Sequence, residues 1–268
     1  MTATDLGHGY RRLLVERDGD LLWVTLNRPD KLNAVDGVLH SELVSVLRAV
    51  EADEESKVVI LTGAGRAFCA GGDVGGMDSE SGSNLASRPS EVHDEGRRLI
   101  DALLWVEKPL LAMVNGAAVG LGATLALFCD CIVAAEDARI GDRHVNVGLV
   151  AGDGGAVIWP ALVGVARAKE MLMTGRLLSG TEAAAIGLIN RAVPADRLRD
   201  TTVELARELA AQPPFAVKAT KAAINRGLRR SVEDVLDVSL AWERLSMLRE
   251  DHREAARAFV ESRRKPTS

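Results

Sequence analysis

Short apolar runs, each rich in β-branched residues and followed by a turn, recur through the first half of the sequence. Residues 57–62 (KVVILT) are typical, because the run is too short for a buried helix and leads into a glycine-rich segment. Residues 21–26, 110–114 and 131–135 have the same character, and an Asp-Gly-Asp turn joins the first of them to residues 13–17 as a hairpin. These runs predict buried strands and therefore an α/β fold.

Helical spacing of apolar residues separates these strands and later takes over the chain. The 3.6-residue period appears at residues 38–51 and 93–105, and Ser179 with Glu182 has the pattern of a capping box. From about residue 198 every segment is helical, with the period at residues 198–211, 215–226, 231–246 and 251–261. We predict strand–strand–helix units over residues 1–197 and a C-terminal helical region over residues 198–268.

The composition argues against nucleic-acid, membrane and disulfide-stabilised classes. The chain has 268 residues, 47% of them apolar, and a net charge of −5, which suits a globular core and gives no basic field for nucleic acid. No run approaches the roughly 20 apolar residues of a membrane span. Three cysteines without CxxC spacing and scattered histidines predict no metal site and a reducing, cytoplasmic location.

Two glycine-rich segments are candidate binding sites for a negative oxygen. In residues 65–73 (GRAFCAGGD), consecutive glycines let backbone N–H groups approach a ligand, although a tight turn with Asp73 as a helix N-cap explains them equally. In residues 114–124 (VNGAAVGLGAT), a buried strand runs into three glycines and a helix. Helix N-terminal amides there would favour an anion, whereas close helix–strand packing is the alternative.

A third segment, residues 142–155 (DRHVNVGLVAGDGG), contains the most plausible proton-transfer group. His144 titrates near neutral pH, and a carboxylate that orients its ring would make it a general base. Asp153 is the candidate for that carboxylate, and Asp142 is a second one. The alternative is an ordinary loop histidine with Asp153 as a helix N-cap.

These segments together resemble the crotonase (enoyl-CoA hydratase/isomerase) family. AFCAGGD at residues 67–73 is similar to the family motif AFxAGxD, and residues 114–127 are similar to xNGxAxGGGxELAL. The resemblance continues through residues 140–155, through KEMLMTGRLLSGTEAAAIGL at residues 169–188, and through the early LNRP and closing tail motifs. It covers nearly the whole chain in the expected order.

The resemblance implies a fold, a substrate class and a set of site residues. The fold would be a crotonase-like ββα spiral core with a C-terminal helical trimerisation region, assembled as a homotrimer or dimer of trimers. The substrate would be an acyl-CoA thioester, with no metal or other cofactor. The N–H groups of Gly72 and Leu121 would form the oxyanion hole. Substrate or CoA contacts would come from Arg28, Lys31, Arg66, Ala70, Gly71, Asp73, Thr124 and Phe259, with Arg263, Arg264 and Lys265 as further cationic candidates.

The sequence departs from the family at both catalytic glutamates. Thr124 stands at the position of the first and His144 at the position of the second. The main hypothesis is therefore a hydratase- or isomerase-like enzyme in which His144 moves the proton. One alternative is a hydrolase of the C–C bond in cyclic β-diketones that uses a His144/Asp153 dyad, although the second histidine of that branch is missing here. The other is a CoA-ester-binding protein without activity.

Overall fold

The computed structural model describes residue 6 and residues 9–73 and 89–264, and it describes side chains in these ranges except at 89–94 and 259–264. Six strands form the larger sheet in the order β1-β2-β3-β5-β7-β10. They are β1 (Leu13–Asp18), β2 (Leu21–Leu26), β3 (Val58–Gly63), β5 (Leu110–Val114), β7 (Cys131–Ala135) and β10 (Arg191–Val193). Only β1 and β2 are antiparallel, as the predicted hairpin requires.

A smaller sheet is built from short strands that follow the strands of the larger one. Its order is β4-β6-β8-β9, with β4 (Ala67–Cys69), β6 (Ala117–Val119), β8 (Arg139–Gly141) and β9 (Leu178–Ser179). In three successive cases a strand of the larger sheet leads within a few residues into a strand of the smaller one. The predicted strand–strand–helix units are confirmed, and residues 67–69 of the first glycine-rich segment form β4.

Eight helices complete the described part of the chain. They are α1 (Gly37–Ala52), α2 (Pro89–Trp105), α3 (Leu121–Leu127), α4 (Gly155–Thr174), α5 (Gly180–Ala185), α6 (Leu198–Ala210), α7 (Pro214–Met247) and α8 (Glu250–Arg264). The capping box predicted at Ser179 and Glu182 opens α5. None of the helices in the described ranges is long and apolar enough to cross a bilayer.

Both faces of the central strands β2, β3, β5 and β7 are buried, which explains why these strands are almost continuously apolar. Alternate residues of β2 and β3 point to opposite sides: Leu22 and Val59 belong to the main core, whereas Leu21 and Val58 pack in a second cluster with Ala206 of α6. The C-terminal region thus supplies one cover of the sheet.

The two helices predicted at residues 215–226 and 231–246 are one continuous helix, α7, of 34 residues. Gly227 lies between the two predicted ranges, but an isolated glycine costs a helix only about 1 kcal/mol, and packing overrides that penalty. The helix packs against α2 and α4. Although α7 lies late in the sequence, it therefore packs in the region that holds residues 142–155.

Candidate active site

The two glycine-rich segments meet at the start of α3. Gly71 has a φ of 97°, and a Cβ built on it would lie 2.8 Å from the carbonyl oxygen of Val119 and 3.9 Å from the amide nitrogen of Leu121. A side chain at residue 71 would therefore collide with the chain leading into α3. This close approach requires glycine, and it brings residues 70–73 beside the first turn of the helix.

Both predicted oxyanion-hole amides are free of backbone acceptors within the described ranges. Gly72 bridges Val35, but the bonds of that bridge are Val35 N–H to Gly71 and Asp73 N–H to Val35, so the Gly72 amide takes no part. Leu121 is the first residue of α3, where N–H groups have no partner inside the helix. Each amide is thus available to a ligand oxygen.

His144 lies against Gly120, the residue before Leu121, and is held in place by Asp142. It begins a 3₁₀ turn directly after β8, and its Nδ1 lies 2.7 Å from Oδ1 of Asp142, which also accepts the His144 backbone N–H at 3.0 Å. The ring covers Gly120, where an added Cβ would come within 3.3 Å of Cε1. Its side chain is only 13% exposed, so the ring does not face bulk solvent.

Asp153 contacts His144 at Nε2, on the opposite side of the ring from the Nδ1 that Asp142 binds. Its Oδ2 is 3.5 Å from Nε2, and its Oδ1 accepts a hydrogen bond of 3.1 Å from the Thr124 hydroxyl. Asp142, the second candidate, fixes the ring, and the geometry does not match Asp153 as the orienting group. Asp142 has this position because it directly follows β8, two residues before His144.

Glu243 of α7 is a site residue that the sequence analysis missed. Its Oε1 lies 3.8 Å from Nε2 of His144, its side chain is 8% exposed, and its Oε2 is buried without a partner. Its contact with residue 152 requires glycine, since a Cβ there would fall 2.5 Å from Oε2. Glu243 follows Val232, Leu236 and Leu240 on the buried face of the helix. A carboxylate on an apolar stripe was the signal that could have revealed it.

Burial and mutual charge shift the pKa of every member of this cluster. Burial disfavours a charged ring, but Asp142 and then Asp153 outweigh it, so the pKa of His144 lies well above its usual value. Burial would raise the pKa of Asp142, yet the His144 charge lowers it. Burial raises the pKa of Asp153, and it raises that of Glu243 to about 8, because the ring only partly offsets it. These shifts favour the imidazolium form of His144 and the protonated form of Glu243.

The cluster does not have the form of a metal centre, although Asp142, His144 and Asp153 form the one close group of potential ligands in the described residues. Asp142 and Nδ1 of His144 are bonded to each other, which uses both groups for a hydrogen bond rather than for chelation. The absence of a metal remains a prediction.

The cationic residues proposed for CoA phosphates fall into two groups. Arg28 is buried, with its guanidinium 3.3 Å from Asp36 and 3.0 Å from Asp73 and a further bond to the Ala34 carbonyl, so its donors are used inside the protein. The CoA contact predicted for Arg28 stays a prediction, and these bonds leave its guanidinium less free to meet a phosphate. Lys31 and Arg66 are both exposed. The two segments that carry them are neighbours, since an added Cβ at Gly65 would lie 3.0 Å from Pro29.

The structure describes only some of the remaining residues that were predicted to contact the substrate or CoA. Ala70 is half-buried and donates its N–H to the Leu32 carbonyl at 3.0 Å, which anchors the segment before Gly71. The side chains of Phe259, Arg263 and Arg264, and all of Lys265, lie outside the described residues.

Comparison with known proteins agrees with this arrangement. The model of the enoyl-CoA hydratase/isomerase family matches residues 16–267. The short-chain-enoyl-CoA hydratase of Clostridium acetobutylicum is 35% identical over 94% of this chain and 95% of its own length. The 1,2-epoxyphenylacetyl-CoA isomerase of Escherichia coli is 35% identical over 91% of this chain and 93% of its own.

A solved structure gives the same result at the level of the fold. An enoyl-CoA hydratase/isomerase from Mycobacterium paratuberculosis superimposes with a TM-score of 0.85 at 36% identity, covering 92% of this chain and 98% of that one. The chain belongs to the enoyl-CoA hydratase/isomerase family, as the motif resemblance predicted. It is a crotonase-family enzyme of acyl-CoA thioesters, hydratase- or isomerase-like.

Proposed function

We propose that this enzyme adds water to a 2-enoyl-CoA thioester, with His144 as the centre of proton transfer. One observation supports the proposal: an imidazole that is only 13% exposed, bonded to Asp142 and near two more carboxyl groups, lies against Gly120, the residue before the Leu121 amide. An acid/base cluster next to an anion site is what enolate chemistry requires.

The amides stabilise the charge that the reaction develops. When water adds to the carbon β to the thioester, electrons move onto the carbonyl oxygen, and the N–H groups of Gly72 and Leu121 would donate to it. By analogy with other oxyanion holes, each such donor lowers the barrier by roughly 3 kcal/mol. Only the N–H of Leu121 is needed, so a side chain at this position does not remove the function.

The imidazole holds and passes the proton. Asp142 stabilises the imidazolium from Nδ1, so Nε2–H starts as a donor toward the carboxyl groups on its other side. His144 therefore acts with those groups as an acid/base unit, and not as a lone neutral base. Thr124 has a positioning role here, because its hydroxyl donates to Asp153.

The rest of the proposal concerns binding and assembly. Lys31 and Arg66 are the exposed cations placed to meet CoA phosphates, and no metal or further cofactor takes part. Assembly as a homotrimer or dimer of trimers in the cytoplasm would cover large apolar side chains that α7 leaves exposed. These are Phe215, Ile224, Val238, Trp242 and Leu245.

The proposal is tested by following consumption of crotonyl-CoA and of a chain-length series by the purified protein. We expect hydration by the wild type and a loss of kcat of about 1,000-fold in His144→Gln, because general acid–base groups contribute 10²–10⁴-fold. Arg143→Gln, which changes the exposed neighbour of His144, is the matched control and should keep wild-type kcat.

Three results would overturn the proposal. Thioesters that bind without being turned over would indicate a binding protein. Cleavage of a cyclic β-diketone without CoA would indicate the C–C hydrolase. Full activity in His144→Gln would remove the imidazole from the chemistry.

A further inference from the structure

The helix α7 brings to the active site a carboxyl group that the proposed function does not yet use. We propose that Glu243 is the proton-carrying acid of the site and Asp153 its ionised partner, so that these two groups replace the carboxylate pair missing at positions 124 and 144. This inference rests on the proposed function, because it assigns the acid and the base of that reaction.

The different surroundings of the two carboxyl groups decide which one holds the proton. Asp153 accepts hydrogen bonds from the Thr124 hydroxyl and from the backbone N–H of Gly155, and both bonds favour its ionised form. The carboxyl group of Glu243 makes no hydrogen bond among the described residues, and its Oε2 is buried without a partner. A proton shared by the pair therefore resides on Glu243.

The charges that face Glu243 lead to the same assignment. His144, from the turn after β8, is its one ion-pair contact within the described ranges, at 3.8 Å. Asp142 just after β8 and Asp153 before α4 add two negative charges nearby. A single imidazolium already paired with Asp142 cannot also neutralise two carboxylates, and burial accordingly raises the pKa of Glu243 to about 8.

The reaction then balances without any further reactant. The Asp153 carboxylate accepts a proton from water as the water oxygen bonds to the β-carbon, and the C=C electron pair moves to form the enolate. The enolate oxygen is held by the Gly72 and Leu121 amides. The Glu243 carboxylic acid gives its proton to the α-carbon as the thioester carbonyl re-forms. The imidazolium then passes its Nε2 proton to Glu243 and receives the proton of Asp153, which restores the starting state.

Three variants test the assignment through the pH dependence of kcat with crotonyl-CoA. Glu243→Gln, which keeps the shape but cannot release a proton, should lower kcat by at least about 100-fold. KM should stay within about threefold, as for a group that acts in the transition state. The alkaline fall of wild-type kcat near pH 8 should disappear in this variant, and Asp153→Asn should remove the acid limb instead. Glu233→Gln, on the exposed face of the same helix, should match the wild type.

A readout without substrate separates this inference from the proposed function. Infrared difference spectra between acidic and alkaline pH should show a protonated carboxyl group that ionises near pH 8 in the wild type and is missing in Glu243→Gln. Lack of turnover by the wild type with this signal present would defeat the proposed function and leave the protonated acid in place.

Two other outcomes would overturn the inference itself. One is a wild type that hydrates crotonyl-CoA while Glu243→Gln keeps both its kcat and the alkaline limb. The other is a stoichiometric divalent metal in the purified wild type that is lost from Glu243→Gln, because a cation would then occupy the place of the proton.

Discussion

Two clusters in the described part of the chain contain buried carboxylates. They differ in how many hydrogen-bond donors and cations those carboxylates have. Asp53, just after α1, is 1% exposed. It accepts a hydrogen bond of 2.8 Å from Arg17 and the backbone N–H groups of Glu55 and Ser56, and the Lys108 ammonium lies 3.9 Å away. Burial alone would raise its pKa, but the hydrogen bonds from Arg17, Ser56 and Glu55 lower that pKa strongly.

The His144 cluster also contains buried carboxyl groups and a cation. It has too few cations and hydrogen-bond donors for the number of carboxyl groups. Three carboxyl groups face one imidazole, and the carboxyl group of Glu243 has no hydrogen-bond donor among the described residues. The pKa values of Asp153 and Glu243 rise as a result. A buried carboxylate with its own cation and donors stabilises a fold, whereas one that must share a cation is ready to exchange a proton.

The largest effect should come from Asp142→Asn in the His144 cluster. The amide would remove the charge that stabilises the imidazolium and allow the wrong ring tautomer, as in other histidine–carboxylate pairs. We expect kcat with crotonyl-CoA to fall about 1,000-fold, equivalent to about 4 kcal/mol, with little change in unfolding temperature. Loss of folding at unchanged kcat would show that this cluster, too, is structural.

The reverse result is expected for Asp53→Asn. It leaves Arg17 and the buried Lys108 without their carboxylate, and breaking a buried pair costs about 3 kcal/mol. Denaturant unfolding should record this loss while kcat per folded molecule stays at the wild-type level. A drop in kcat of the same size as that in Asp142→Asn would erase the distinction between the two clusters.

The smallest effect is the pH dependence of stability. The folded-state pKa of Glu243, about 8, lies above its ordinary value, so the folded protein holds more protons than the unfolded chain between those two values. Stability must therefore fall as pH rises through this window. The raised pKa of His144 acts in the same direction, whereas Asp53 loses its contribution only in acid. Thermal unfolding from about pH 5 to about pH 9 should show a flatter profile in Glu243→Gln.

The features that could be predicted from the sequence were those with a local hydrophobic period or a sequence motif. The central strands of the larger sheet were found because burial on both faces makes them continuously apolar. The strands β4, β6 and β8 have three residues each, too few for a period, and no helix was predicted over α4. The family motifs led to His144 and to the glycine-rich amides.

The missed features depend on contacts between distant parts of the chain. Asp142 and Asp153 are both near His144 in sequence, and only the fold decides which nitrogen each one meets. Glu243 is about a hundred residues beyond the ring and reaches it only because α7 is unbroken. The apolar stripe around Glu243 marks it as buried, but no local pattern identifies the ring that it meets.

Arg28 has a consequence for the rigidity of the proposed oxyanion hole. Its guanidinium ties Asp36 to Asp73 on either side of the Val35–Gly72 bridge, so the direction of the Gly72 amide is set before any thioester arrives. A dipole that is already aligned does not have to reorganise as charge develops on the carbonyl oxygen. A lysine, which presents one ammonium in place of a planar fork, could not brace the two segments at once.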